Sequence, residues 1–279
     1  MRWFPGHMGR ARSSLRRYAR MVDLVFEILD ARIPASSHNP EIKPLLGARP
    51  LVLVLNKADL ASEPATGRWL DYFRRQGLIA LRVEATAGHG IREMVQAAGR
   101  IMEEKWAAMA ARGRRRPALR AMVVGIPNVG KSTLINRLAG EGRARTGDRP
   151  GITRGKQWIV VDSRLELLDL PGILPPRADR PEFRERLAIT GALGDEAYDP
   201  VETALALLVF LLREDPTALA RRYGVEPVPE ASKMLSSLAR ARGCLLPGGE
   251  VDMARAALVL LREFRAGKLG RFTLEEPSG

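Results

Sequence analysis

Residues 125–132 read Gly125-Ile126-Pro127-Asn128-Val129-Gly130-Lys131-Ser132, the pattern G-x-x-x-x-G-K-S. The two glycines let successive backbone N–H groups turn inward on a phosphate, and a helix starting just beyond adds the positive end of its dipole. Lys131 can then bridge β- and γ-phosphate oxygens, and the Ser132 hydroxyl can ligate Mg²⁺. Further along, Asp169-Leu170-Pro171-Gly172 follows a short apolar run. There Asp169 can hold Mg²⁺ through water, and the Gly172 N–H can meet the γ-phosphate. Between the two lies Arg149-Pro150-Gly151-Ile152-Thr153, in which Thr153 is the candidate switch residue. Its hydroxyl would complete the Mg²⁺ shell only when the γ-phosphate is present. A chance glycine loop or an ordinary turn could explain each motif alone, but their order and flanks point to nucleoside triphosphate chemistry.

The base is specified elsewhere, upstream of the phosphate loop. Asn56-Lys57-Ala58-Asp59 directly follows the apolar run 51–55. A carboxylate at Asp59 can accept hydrogen bonds from guanine N1–H and the 2-amino group, a pattern that adenine lacks. Asn56 is expected to tie this loop to the phosphate loop, and the Lys57 stem to cover the base. Glu84-Ala85-Thr86-Ala87-Gly88 closes the next predicted strand. There the backbone N–H of Ala85 is expected to meet guanine O6, with Thr86 beside it. The candidate nucleotide-binding set is therefore Asn56, Lys57, Asp59, Ala85, Thr86, Asn128, Val129, Gly130, Lys131, Ser132, Thr133 and Gly172. Ser132, Thr153 and Asp169 are the candidate Mg²⁺ ligands. A P-loop small-molecule kinase is the competing class, and the guanine-type Asn56-to-Asp59 loop argues against it.

Positioning these loops requires strands that end beside one another. Runs 22–29, 51–55, 78–83, 121–124, 158–161 and 165–168 have the length and apolar character of short strands. Residues 66–76, about 90–110, and a segment from Lys131 read as helices between them. Alternating β and α segments imply an α/β fold with a mostly parallel sheet. After Pro175-Pro176 only helical periodicity is found, over 201–213, 216–223, 231–242 and 251–265, and Asp199-Pro200 reads as a helix start. Two domains are expected: residues 1–178, with a basic N-terminal segment 1–20, and an all-helical domain over 179–279.

Composition constrains the setting. Apolar residues make up 46% of the 279, enough for a core and too many for global disorder. The longest apolar run, 204–212, is too short to cross a bilayer, and the N-terminus lacks a secretory pattern. One cysteine, Cys244, excludes an internal disulfide and an all-cysteine zinc site. A cytoplasmic protein with no membrane partner is expected. The formal charge is +13, and all but seven of the 45 basic residues are arginines. An arginine-rich proteome would give a similar total. Local clustering is more telling: residues 1–20 carry six arginines, residues 112–120 carry five, and neither stretch has an acid. Guanidinium forks suit phosphate and bases, so these clusters read as RNA contacts or solvated linkers.

Taken together, the motifs resemble the translation-factor-related GTPases, with the base loops preceding the phosphate loop: a circular permutation. Trp3-Phe4-Pro5-Gly6-His7-Met8, Asp30-Ala31-Arg32-Ile33-Pro34, Arg242-Gly243-Cys244-Leu245 and Gly248-Gly249-Glu250-Val251-Asp252 sharpen the match. The whole chain resembles the bacterial ribosome-biogenesis GTPase A family. That resemblance implies a permuted P-loop GTPase domain with a C-terminal helical RNA-binding domain, and GTP and Mg²⁺ as ligands. It also implies the large ribosomal subunit and its rRNA as partners, late subunit maturation as the task, and GTP hydrolysis as the release step. A monomer is expected, slow alone and stimulated by the ribosome; another RNA target is the alternative. Two positions depart from the usual GTPase pattern. Glu84-Ala85 stands where Ser-Ala is usual, and Ile173 stands where a water-orienting glutamine is usual. His7 is the candidate replacement, positioning the water once its segment orders, so the candidate catalytic residues are His7, Thr153 and Lys131. Asn128 resembles the asparagine of K⁺-dependent GTPases and is the candidate K⁺ ligand. The permutation also places both switch loops just upstream of the helical domain. There Arg240, Arg242, Arg255, Arg262, Arg265, Lys268 and Arg271 are candidate rRNA contacts or a solvated helix face.

Overall fold

The computed structural model describes residues 13–140 and 157–277. His7 and Thr153 therefore lie outside the described residues. The chain divides into two compact units: one runs up to Pro176 and resumes at Glu275, and the other spans Arg177–Leu274.

The first unit is built on a six-stranded sheet in the order β3-β2-β1-β4-β6-β5. Its strands are β1 (Leu24–Asp30), β2 (Leu51–Asn56), β3 (Ile79–Arg82), β4 (Leu119–Gly125), β5 (Gln157–Asp162) and β6 (Leu165–Asp169). Every neighbouring pair is parallel except β5 with β6. β1 and β2 are buried along their whole length, which is why they read as continuous apolar runs and not as alternating ones. Glu27 is the exception within β1. Its buried carboxylate accepts the Asn39 N–H at 2.7 Å and lies 3.1 Å from His38 Nδ1, so the charge is satisfied by the loop that follows the strand.

Parallel register brings the functional loops to one edge. Asp30 is level with Asn56, Ile28 with Gly125, and Val123 with Asp169. Residues arriving from distant parts of the sequence thus meet at the carboxyl ends of adjacent strands, where ligands of open α/β sheets bind. Helices α1 (Glu63–Arg75), α2 (Ile91–Ala110) and α3 (Lys131–Ala139) accompany the sheet. Trp69, Leu70 and Phe73 of α1 join Leu15, Tyr18 and Ala19 of a helical segment at 13–19 in the same core as Leu29, Leu53 and Leu55.

The last described residues return to this unit, whereas the sequence reading left them with the helical domain. The Glu275 carboxylate, 5% exposed, accepts the N–H groups of Ala35 (2.7 Å) and Ser36 (3.1 Å) and the Ser36 hydroxyl. Trp69 Nε1 donates to the Glu275 carbonyl at 3.0 Å. Next to them, Arg68 and Glu276 form an exposed bidentate pair.

The second unit contains α4 (Pro181–Thr190), α5 (Pro200–Glu214), α6 (Thr217–Tyr223), α7 (Ala231–Ala241) and α8 (Met253–Arg265). Asp199 caps α5, accepting from Val201 N at 2.7 Å and Glu202 N at 3.0 Å. Leu207, Leu208 and Leu211 of α5, Leu235 and Leu238 of α7, and Ala256, Ala257, Leu260 and Leu261 of α8 are buried, and the three helices pack on one another. Helix α4 escaped the sequence reading because its buried residues bunch in the last turn, Leu187 to Thr190, with no helical spacing before them. No helix among the described residues is long and apolar enough to cross a membrane.

Removing the Glu275 carboxylate strands two backbone donors and a hydroxyl in a buried site, a loss of about 2–3 kcal/mol. Glu275→Ala should lower the urea midpoint of the sheet unit accordingly. Glu276→Ala, which touches only an exposed ion pair, should leave it unchanged.

Candidate nucleotide site

Gly125 ends β4, Gly130 sits just before α3 with φ of +97°, and Lys131 is the first helical residue. The loop between them also contains Asn128 in the left-handed region, φ +56°. Lys131 is buried, and its ammonium donates to the Gly125 carbonyl at 3.1 Å and the Ile126 carbonyl at 2.8 Å, curling back over its own loop. Burial pulls its pKa down to about 8, partly offset by the nearby Asp169 carboxylate. Asp169 is itself buried at the end of β6. Ser132, half-buried, and the exposed Thr133 follow in the first turn of α3. A serine hydroxyl at this helix start and a buried carboxylate beside the lysine are a donor set suited to Mg²⁺ once phosphate oxygens supply the remaining ligands.

Gly172 is pressed against the phosphate loop: a Cβ there would lie 2.8 Å from the Pro127 nitrogen. The Ile173 N–H donates to the Gly125 carbonyl at 3.1 Å, and the Ile173 side chain packs on the hydrophobic core. It is therefore unsuited to orienting water in both chemistry and direction.

Asn56 joins the base loops to the phosphate loop. Its side chain, 2% exposed as a residue, donates from Nδ2 to the Val129 carbonyl at 2.8 Å and accepts on Oδ1 from the Ala85 N–H at 3.0 Å. A Cβ on Gly130 would collide with that Nδ2. The Ala85 amide, expected at guanine O6, is thus engaged by Asn56 and buried. The next amide, that of the exposed Thr86, takes its place as the candidate O6 donor. Glu84 is turned to its own loop, where its carboxylate lies 2.8 Å from His89 Nδ1.

Lys57 adopts φ +59°, and its ammonium donates to Asp30 at 3.0 Å and to the Asn128 carbonyl at 2.7 Å. Its stem consequently runs across to the phosphate loop from the start of the turn that carries Asp59. Asp30 and Arg32, from the signature Asp30-Ala31-Arg32-Ile33-Pro34, form a buried pair that holds Lys57. Arg32, 1% exposed, donates to Asp30 through Nε (2.9 Å) and Nη2 (2.7 Å). Burial alone would raise the Asp30 pKa, but the Arg32 and Lys57 cations outweigh it and hold this carboxyl far below the usual range. The fixed anion orients Lys57, and Lys57 in turn binds the phosphate loop. A charged pair at the end of an otherwise apolar strand was the available signal. Arg137 adds a further tie, donating from α3 to the Ala87 carbonyl at 3.1 Å.

In the helical unit the cations differ in role. Arg265 donates to the Ile189 and Ala188 carbonyls (3.0 and 2.7 Å) and to the Tyr198 hydroxyl (2.8 Å), closing the end of α4. Arg242 lies 3.0 Å and Lys268 3.9 Å from Glu263, which also binds Arg222 at 2.7 Å. These residues hold the unit together. Arg240, Arg255, Arg262 and Arg271 are exposed.

Residues 120–231 match a family described as 50S ribosome-binding GTPase. The match begins in β4, so Asn56, Asp59 and Thr86 precede it, as a permuted order requires. "Ribosome biogenesis GTPase A" of Priestia megaterium is 44% identical over 280 residues, covering 100% of this chain and 97% of that protein. The protein of the same name from Bacillus cereus is 43% identical, covering 99% and 94%. The crystal structure of GNP-bound YlqF from T. maritima superposes with a TM-score of 0.65 at 26% identity, covering 96% of this chain and 99% of that one.

Phosphate binding favours the protonated form of Lys131, whose pKa in the free protein is about 8. GDP affinity should therefore hold below that pH and fall as pH rises through it, approaching roughly tenfold per unit. Calorimetry in two buffers of different ionisation enthalpy should register proton uptake on GDP binding at pH 8.5. Constant affinity from pH 7 to 9 with no proton uptake would contradict the assignment.

Proposed function

The chain belongs to the ribosome biogenesis GTPase A family and hydrolyses GTP, and we propose that it binds the precursor of the large ribosomal subunit, promotes a late step in its maturation and leaves when GTP is hydrolysed. The observation that carries this reading is the 44% identity, over the whole chain, to a relative named for ribosome biogenesis. The description of the matching family as 50S ribosome-binding supports the large subunit as the target. The net charge of +13 suits an rRNA partner. In this reading the protein works in the cytoplasm as a monomer.

Within the site, Asp59 reads guanine N1–H and the 2-amino group, the Thr86 amide meets O6, and Lys57 flanks the base. The amides of Asn128, Val129 and Gly130 wrap the phosphates, with Thr133 at the helix start. Lys131 swings from the Gly125 and Ile126 carbonyls to the β- and γ-phosphate oxygens, exchanging two neutral acceptors for anionic ones. Ser132, Asp169 and Thr153 would hold Mg²⁺, which supplies positive charge to the phosphates as the γ-bond breaks. The Gly172 amide senses the γ-phosphate. With Ile173 packed on the core, His7 positions the attacking water when the protein is on the ribosome. The Asn128 side chain is the ligand assigned to a K⁺ ion beside the phosphates.

Co-sedimentation with purified ribosomal particles tests the proposal. The protein should pellet with large-subunit precursors in a non-hydrolysable GTP analogue, bind them weakly in GDP, and release as salt rises. Equal pelleting in both nucleotides, or selective binding to small subunits, would refute it.

A further inference from the structure

The sheet unit has a second charged end. β1, β4 and β6, five to seven residues long at about 3.3 Å each, separate the two poles of the sheet by roughly 20 Å. At the pole away from the phosphate loop, the starts of β1, β4 and β6 border a cleft of about 410 Å³. Arg20, Arg49, Lys105 and Arg120 line it against two acids, Asp23 and Glu166. Both acids are already committed. Asp23 lies 2.5 Å from Lys105 Nζ and accepts the Arg120 N–H at 3.0 Å, while Glu166 lies 2.8 Å from Arg120 Nε.

Leading into β4 is the run Arg112, Arg114, Arg115 and Arg116, all exposed. Among the described residues no carboxylate stands within ion-pair distance of any of the four. The run is nevertheless held in place. The Arg116 guanidinium carbon sits 3.4 Å from the centroid of Trp106, a residue of α2 that is only 9% exposed. Arg120 also lies 5.5 Å from the ring centre of Trp158 on β5, a residue level with Leu168 and so nearer the nucleotide end of the sheet. The pole therefore combines guanidinium groups that have no carboxylate partner among the described residues with an anchored loop.

We propose that this pole is a binding surface for an RNA phosphate backbone, separate from the nucleotide pocket of the same unit. Planar guanidinium forks match phosphate oxygens in pairs, and the guanidiniums of the run carry no competing acid among the described residues. The inference rests on the ribosomal reading above for its natural target, since it assigns one of the surfaces that would hold rRNA. It also accounts for the acid-free stretch 112–120.

The test uses the full chain carrying Arg112→Gln, Arg114→Gln and Arg115→Gln, which leaves Arg116 on Trp106. A single-stranded RNA 20-mer and purified large-subunit precursors are titrated across a salt series, with anionic lipid vesicles as a third arm. GDP affinity reports that the fold and the distant pocket are intact. The variant should bind GDP like the parent, lose roughly tenfold or more in RNA affinity, and show a log–log salt slope lower by about 2, since each lost contact removes about 0.7. The corresponding triple Arg→Lys variant should restore the slope. Unchanged RNA affinity and slope would overturn the inference while leaving the ribosomal reading standing. Arginine-dependent RNA binding by a chain that ignores large-subunit precursors would do the reverse. Loss of vesicle binding with RNA binding untouched would also overturn it.

Discussion

A buried amide side chain holds the nucleotide site together. Asn56 reaches from the end of β2 past the end of β1 and spends both halves of its amide: the N–H on Val129 in the phosphate loop, the oxygen on Ala85 in the guanine loop. Its geometry dictates much else. Gly130 must lack a Cβ because Nδ2 occupies that space. The Ala85 amide is engaged by the Asn56 oxygen, which leaves the neighbouring Thr86 amide as the candidate for O6. Removing either neighbour of the amide would leave a buried polar group without its partner, so the three loops are specified as a set. Lys57, fixed by Asp30, makes a second and more exposed link across the same gap.

These links matter because the chain is permuted. The guanine-reading segment and the phosphate-binding segment occupy opposite halves of the first unit's sequence, and the parallel register of β1, β2, β4 and β6 reunites them at one edge. The same ordering leaves the segment after Asp169 and Gly172 leading directly into the helical unit at Arg177. At the other end, Glu275 brings the chain back onto the sheet unit. The helical unit is thus an insertion in the sequence of the sheet unit, which it leaves after Pro176 and rejoins at Glu275.

Much of this was legible in the sequence wherever the information is local. The phosphate loop announces itself by its glycines and lysine, the guanine loop by an asparagine and aspartate after an apolar strand, and the buried strands by uninterrupted runs such as 51–55. The elements that escaped depend on distance in sequence. That the Ala85 amide is taken up by a side chain depends on a hydrogen bond spanning 29 residues, from Asn56 to Ala85. The role of Glu275 depends on Ala35 and Ser36, some 240 residues away. Arg265 and Arg242 look like surface cations by type and turn out to be braces, because their partners come from other helices. Helix α4 was missed because its first turns lack any apolar periodicity.

The coupling of the two loops through Asn56 is tested most directly by titrating GDP into the Asn56→Ala protein, with circular dichroism to verify the fold. Two buried hydrogen bonds are lost at the junction, so GDP should bind roughly 100-fold more weakly while the sheet unit remains folded. An affinity within about threefold of the parent protein would contradict the claim that this side chain joins base recognition to phosphate binding.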